Sequence, residues 1–172
     1  LGTAIEYSNS TLLTSDCSFE VSESETDINA PIVIGSGFAG DDHIIFRDNH
    51  FPATERAAPI FVFDGHDQLD AWLELRGNRF LGGMREACKL SRCNSFLWEN
   101  SFRNFRHPES LAKRATAVSI DGTNTSDRPS IVFACNYFSE TDVAMTLAGR
   151  MSLEVQNNLF TDCKISVAEF ID

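Results

Sequence analysis

The stretch Leu73-Glu74-Leu75-Arg76-Gly77-Asn78-Arg79-Phe80 follows a pattern of apolar, any, apolar, any, any, Asn, any, Phe. Further copies occupy residues 44–51, 95–102, 131–138 and 153–160, and a degenerate copy at 12–19 has Cys17 in place of the Asn. The intervals between successive Asn residues are 29, 22, 36 and 22 residues. Equal short intervals interrupted by longer ones are typical of a coiled repeat with loops of variable length.

A second pattern, apolar, any, apolar, any, Gly, precedes the copies. It occurs at residues 61–65, 118–122 and 145–149, and residues 32–35 match it when it is shortened by one position. Residues 88–90 and 165–167 match it without the Gly. Alternation with period two points successive side chains to opposite faces of a strand. The Gly fits a bend that needs positive φ or a close approach of backbones.

Together the two patterns predict an all-β fold, a right-handed parallel β-helix of about six coils. Coils about 4.8 Å apart would place the repeated Phe in an interior stack. The repeated Asn would form a ladder whose amides bond to one another and to the backbone. We expect a single domain over residues 1–172, and, since Leu1 is not Met and neither end reads as a cap, a segment of a longer protein.

Helix is the main competitor for residues 68–90, where apolar side chains also recur at helical spacing. Gly77, Gly82 and Gly83 interrupt that segment, and each would cost about 1 kcal/mol in a helix interior. Strands are therefore preferred there. An insertion near residues 103–116 is expected to be a loop or a short helix, with good helix formers at 109–114.

The register of these repeats resembles the right-handed parallel β-helices of the pectin-lyase-like superfamily over roughly residues 4–170. That superfamily includes polysaccharide lyases, glycoside hydrolases, phage tailspikes and autotransporter adhesins, so the resemblance implies a fold more than a function. The tetrads at residues 46–49 and 133–136 are also similar to the FxxN repeats of chlamydial polymorphic outer-membrane proteins, whose companion GGAI tetrads are missing here. Of the Asn-x-Asp, Asp-Asp and Gly-His-Gly motifs of the superfamily's hydrolases, only Gly65-His66 is present.

The outward positions of the Asn repeat suggest a ligand-binding face on two neighbouring coils. Aromatic rings beside a carboxylate and a guanidinium suit sugars, because rings stack on C–H-rich faces while charged groups bond hydroxyls. The competing interpretation is that the insertion at 102–116 or a second subunit covers these aromatics. The predicted glycan-binding residues are Trp72, Glu74, Arg76, Phe96 and Trp98.

Two clusters of charged residues are alternative candidate sites. The acids Asp64, Asp67, Asp70, Asp121 and Asp127 follow the glycine bends, and Asp64 and Asp121 are expected two coils apart, near the carboxyl separation of inverting glycosidases. Asp-Gly is also an ordinary turn sequence. The basic residues Arg103, Arg106, His107, Lys113 and Arg114 suit either an acidic glycan or a solvated loop.

Composition limits the function classes. A formal charge of −11 argues against general nucleic-acid binding, which needs clustered cations, and no apolar run is long enough for a membrane span. The scattered His and five Cys give no metal-ligand spacing, so no metal or cofactor is expected. Cys88 and Cys93 could pair only if a loop brought them together, and at least one thiol must stay free or bond another chain.

The sequence therefore favours a non-catalytic extracellular β-helical scaffold, or an adhesive segment on a cell or virion surface that binds a polysaccharide or cell-surface glycan. Two alternatives stay open. One is a polysaccharide lyase or glycoside hydrolase, or a fragment of one, acting on acidic polysaccharide. The other is a structural segment of a trimeric fibre or tailspike, which would make the chain a homo-oligomer.

Overall fold

The computed structural model describes residues 5–7, 12–19, 33–36, 43–52, 60–65, 72–83, 86–107, 114–122 and 128–170. Within these ranges the chain forms strands and no helix, in three parallel sheets that it visits in the order A, B, C. Sheet A contains β1 (Ile5–Tyr7), β3 (Val33–Ser36), β6 (Phe61–Asp64), β9 (Glu86–Ser91), β12 (Thr116–Asp121), β15 (Val143–Ala148) and β18 (Ile165–Phe170). Sheet B contains β2 (Leu12–Ser15), β4 (His43–Arg47), β7 (Trp72–Arg76), β10 (Asn94–Trp98), β13 (Ser130–Ala134) and β16 (Ser152–Gln156). Sheet C contains β5 (His50–Phe51), β8 (Arg79–Gly83), β11 (Ser101–Phe105), β14 (Tyr137–Ser139) and β17 (Leu159–Thr161).

This arrangement is a parallel β-helix, as the repeat predicted. Each strand pairs in parallel with the equivalent strand of the next coil, and in every sheet the strands stack in chain order. Such a coil cannot bury its apolar side alone, so stacking is what supplies the core. The helical alternative for residues 68–90 is wrong, because β7, β8 and most of β9 lie in that segment.

The interior of the solenoid contains a column of Phe rings. Phe19, Phe51, Phe80, Phe102, Phe138 and Phe160 stack with successive centroid distances of 4.7, 4.6, 5.0, 4.9 and 5.1 Å. Their planes are within 12° of parallel. The spacing follows the distance between hydrogen-bonded strands, which brings equivalent side chains of neighbouring coils into contact.

The predicted Asn ladder lies at the corner between sheets B and C. The side-chain oxygen of each ladder Asn accepts both the backbone N–H and the Nδ2–H of the Asn one coil earlier, at 2.9–3.1 Å. At the first coil the backbone N–H of Cys17 donates to Asn49 Oδ1, and the thiol turns to the carbonyl of Ser15. The ladder satisfies polar groups at a corner from which water is excluded.

The residue before each ladder position has a left-handed backbone, which allows the chain to turn from sheet B to sheet C in two residues. Asp16, Asp48, Gly77, Glu99, Cys135 and Asn157 have φ between +51° and +64°. We call this set the corner column. At the bend after sheet A, Gly65 and Gly122 are required by close approach, since a Cβ would lie 2.4 Å from the carbonyl oxygens of Arg92 and Arg150 respectively.

The structure corrects three details of the repeat. Gly35 is not a bend residue, because it lies inside β3 opposite Phe63. Residues 165–167 are two positions out of the expected register, because Val167 pairs with Met145 and not with Leu147. At the last coil the partner of Leu147 is therefore an acid, Glu169. The insertion expected at 103–116 is narrower, since β11 continues to Phe105 and β12 begins at Thr116. Of the short helix expected at 109–114, residues 109–113 lie outside the described residues.

Candidate functional site

The five residues predicted to bind glycan lie on two adjacent strands of sheet B. In β7 the alternation buries Leu73 and Leu75 and turns Trp72, Glu74 and Arg76 outward. In β10, which pairs with β7, Glu74 lies opposite Phe96 and Arg76 opposite Trp98. We call Trp72, Glu74, Arg76, Phe96 and Trp98 the aromatic face.

Three of these side chains are in contact in the middle of sheet B. The Phe96 and Trp98 rings lie 5.3 Å apart at an angle of 59°, and the Arg76 guanidinium carbon is 5.8 Å from the Trp98 ring centroid. That distance is within the range of a cation–π interaction. Trp98 is half-buried, and its indole N–H is buried with no hydrogen-bond acceptor. Trp72 is 38% exposed, so one large ring is open to solvent.

Among the described residues, the ion pairs made by the charged groups of the face are all long. Glu74, whose side chain is 18% exposed, lies 3.8 Å from both His43 Nε2 and Arg47 Nη2. Arg76 Nε lies 3.8 Å from Glu99 Oε2. These separations exceed hydrogen-bond length. The carboxylate and the guanidiniums therefore keep the capacity to bond a hydroxyl or carboxylate of a ligand.

The acids near the glycine bends are only partly assembled. Asp64 and Asp121 both pair with Ser91, so they stand two coils apart in one column of sheet A, as expected. Asp64, however, receives two short hydrogen bonds from Arg92 Nη2, at 2.7 and 2.9 Å, and one from Arg92 Nε at 3.2 Å. Such a bidentate pair orients the carboxylate toward a partner inside the protein. Asp67, Asp70 and Asp127 lie outside the described residues.

The basic cluster lies where the insertion leaves sheet C. Arg103 and Arg106 are exposed, and Arg106 Nε donates to the Glu140 carbonyl at 3.1 Å. Both described ends of the insertion are held by Asp142, whose Oδ2 accepts the backbone N–H of His107 at 2.8 Å and that of Ala115 at 3.4 Å. Lys113 lies outside the described residues.

Asp142 was missed by the sequence analysis. It is almost fully buried, and its Oδ1 lies 2.6 Å from Lys164 Nζ. Burial opposes ionisation of this carboxyl, but the hydrogen bonds from His107, Lys164 and Ala115 outweigh it and lower its pKa. No signal in the local sequence marks Asp142, because its partners are 22 to 35 residues away.

A cleft at the corner between sheets B and C was also missed. Its volume is about 530 Å³, and it opens beside Gly77, the one position of the corner column without a side chain. That exception was visible in the repeat, but the column itself appears only when the coils are stacked. The cleft is lined by Asp16, Asp48, Asn49, His50, Gly77 and Arg79.

The five cysteines are free thiols, so the considered pairing of Cys88 with Cys93 does not occur. Burial raises the pKa of Cys88 well above its usual value and that of Cys93 to about 12. Both are therefore neutral packing residues of the core. Cys17 and Cys135 are exposed.

In the described part of the chain, no three His, Cys, Asp or Glu side chains are grouped closely enough to hold a metal ion. The same residues contain no helix of the length and apolarity that a membrane crossing requires. Comparisons of this chain with protein-family models, with curated proteins and with solved structures gave no match.

Proposed function

We propose that this protein is a non-catalytic β-helical scaffold of the pectin-lyase-like superfamily that binds a glycan through the aromatic face. The observation that carries the proposal is the placement of Trp72, Phe96 and Trp98 on two paired strands, with Glu74 and Arg76 between them. The proposed setting is extracellular, on a cell or virion surface, where such a ligand is encountered.

The geometry suits stacking of sugar rings. Trp72 is the first residue of β7 and Trp98 the last residue of β10, so they lie at diagonally opposite corners of the face. Phe96 lies in β10, two residues before Trp98 and opposite Glu74. An apolar ring face of a sugar can cover an aromatic side chain while its hydroxyls point sideways. Because the rings project from a hydrogen-bonded sheet, little backbone order has to be gained on binding.

The polar groups of the face supply orientation. Glu74 can accept from sugar hydroxyls, and Arg76 can donate to hydroxyl or carboxylate oxygens. The indole N–H of Trp98 is buried without an acceptor among the described residues, so a ligand oxygen that reached it would gain a hydrogen bond. An unpartnered buried donor costs about 1–3 kcal/mol, so satisfying it favours the bound state.

A binding role is favoured over hydrolysis by the disposition of acids. Glycoside hydrolases use two carboxyls flanking the scissile bond. The aromatic face contains one acid, Glu74, whose carboxylate lies 3.8 Å from His43 and from Arg47. Asp64, on the neighbouring sheet, is bound by Arg92.

Glycan-array screening followed by calorimetry with the best hit tests the proposal. Trp72→Ala is expected to weaken binding at least tenfold, about 1.4 kcal/mol, and Trp72→Phe much less, because a ring is retained. Tyr137→Ala is the matched control, since it removes a partly exposed aromatic from the outer side of sheet C. No binding by the wild type, or equal binding by Trp72→Ala, contradicts the proposal. Turnover of an acidic polysaccharide that is lost in Arg76→Ala would support the enzymatic alternative instead.

A further inference from the structure

The cleft beside Gly77 brings together four charged or titratable side chains that no contact explains. They are Asp16 and Asp48 from the corner column, and His50 and Arg79 from sheet C. Within the described part of the chain, none of these four side chains makes an ion pair or a hydrogen bond. Charged and polar groups that line one cleft without pairing with one another are candidates for binding a ligand.

The cleft lies where one coil lacks a side chain at its corner. Gly77 has φ +64°, and a Cβ built on it would lie 2.2 Å from Asp48 Oδ1, so the Asp48 carboxylate occupies the space over this glycine. Asp16 stands one coil before Asp48 in the same column. The two carboxylates therefore lie toward one end of the cleft along the solenoid axis.

The positive group lies toward the other end. Arg79 belongs to the coil of Gly77 and pairs in register with His50 of the preceding coil. Along the axis the order of the residues is therefore Asp16, then Asp48 and His50, then Arg79. Asn49 closes the floor, but its amide is already engaged in the ladder.

The lining excludes several classes of ligand. Apart from the imidazole of His50, every side chain that lines it is an acid, an amide or a guanidinium, which disfavours an apolar molecule. A simple anion would meet two carboxylates, and a simple cation would meet Arg79. A metal ion is disfavoured because the described residues contain no group of three suitable ligands.

We propose that this cleft binds a small zwitterion of the α-amino acid type. Its ammonium group lies between the carboxylates of Asp16 and Asp48, and its carboxylate accepts a bidentate pair of hydrogen bonds from Arg79. His50 flanks the ligand as a further hydrogen-bonding group. The cleft is separate from the aromatic face, so this site does not depend on the proposed glycan binding.

Calorimetric titration with three matched probes tests the charge pattern. L-alanine carries both charges, L-alanine methyl ester only the ammonium, and N-acetyl-L-alanine only the carboxylate. The buffer must be neither zwitterionic nor a carboxylate. L-alanine is expected to bind saturably, and each singly charged probe at least tenfold more weakly. Equal binding of the methyl ester or the N-acetyl compound, or no saturable binding of L-alanine up to about 10 mM, overturns the proposal.

Variants locate the site. Arg79→Gln and Asp48→Asn are each expected to weaken L-alanine binding at least tenfold. Arg103→Gln is the control, because it removes an exposed arginine from the neighbouring strand of the same sheet and should leave binding unchanged. Far-UV circular dichroism identifies any variant that fails to fold. Unaltered L-alanine binding by folded Arg79→Gln, or equal loss in Arg103→Gln, would rule this cleft out.

Discussion

The side-chain oxygen of Asn100 accepts two hydrogen bonds from Asn78, one from the backbone N–H and one from Nδ2–H, each 3.0 Å long. The Asn100 Nδ2 in turn donates to the Leu75 carbonyl at 2.6 Å. The same Nδ2 also donates to Asn136 Oδ1 at 3.0 Å, so one side chain serves four polar groups inside a corner from which water is excluded. The same arrangement on successive coils makes the ladder a continuous seam between sheets B and C.

Removing a central member of the ladder is expected to be costly. Asn100→Ala leaves two donors of Asn78 and the Leu75 carbonyl without partners, so the free energy of unfolding should fall by about 3 kcal/mol. Asn158→Ala is the comparison, because Asn158 is only partly buried and water can replace its amide. We expect that variant to lose about 1 kcal/mol. Urea denaturation measures both, and equal losses would contradict a role for burial.

The Phe column is expected to be most sensitive at its centre. Phe102 is fully buried between Phe80 and Phe138, so Phe102→Ala should destabilise the protein by about 3–5 kcal/mol. Phe160 stacks on one ring at the last coil and is only partly buried. Phe160→Ala should therefore cost clearly less. Thermal unfolding compares the two, and a larger loss at Phe160 would contradict the stacking argument.

Cys135 is a position where a substitution should stabilise the fold. Its φ of +57° costs a residue with a Cβ about 1–2 kcal/mol, whereas Asn tolerates this conformation better. Cys135→Asn is expected to raise the free energy of unfolding by about 1 kcal/mol. Cys135→Ala removes the thiol without easing the backbone and should not stabilise. If Cys135→Ala stabilises as much as Cys135→Asn, backbone strain is not the cause.

Asp142 makes stability depend on acid pH. Because its pKa in the folded protein is lower than the ordinary aspartate value of 3.8, its contribution is fully present above that value. It is lost as the pH falls below 3.8 through the folded pKa. The stability difference between wild type and Asp142→Asn should therefore be constant near neutral pH and shrink in this acid range. A difference that is independent of pH would show that the carboxylate charge does not matter.

The two periodic features of the fold were predictable because their cause is local and repeated. A period of two places Leu73 and Leu75 on one face of a strand. An Asn followed two residues later by a Phe recurs in every copy of the repeat except the degenerate one, so the stacking of coils can be inferred without knowing the structure of the loops. The same reasoning placed the aromatic face on neighbouring strands. It failed at Gly35 and at residues 165–167, where a short alternating run fits more than one register.

The non-periodic features could not be predicted. Asp142 contacts His107, Ala115 and Lys164 across the chain, and nothing in the repeat marks it. The cleft beside Gly77 depends on which corner residues become vertical neighbours, and the burial of the Trp98 indole N–H depends on the side chains packed around it.

The order of the amino acids was thus sufficient for the coil, its ladder and the direction in which each strand side chain points, because hydrogen-bonded strands repeat at one spacing and alternate with one period. Which charges pair, which remain unpaired around a cleft, and which carboxylate is buried follow from contacts between residues distant along the chain. Those contacts form only when the coils are stacked. They leave no periodic pattern in the sequence, so the sequence alone does not reveal them.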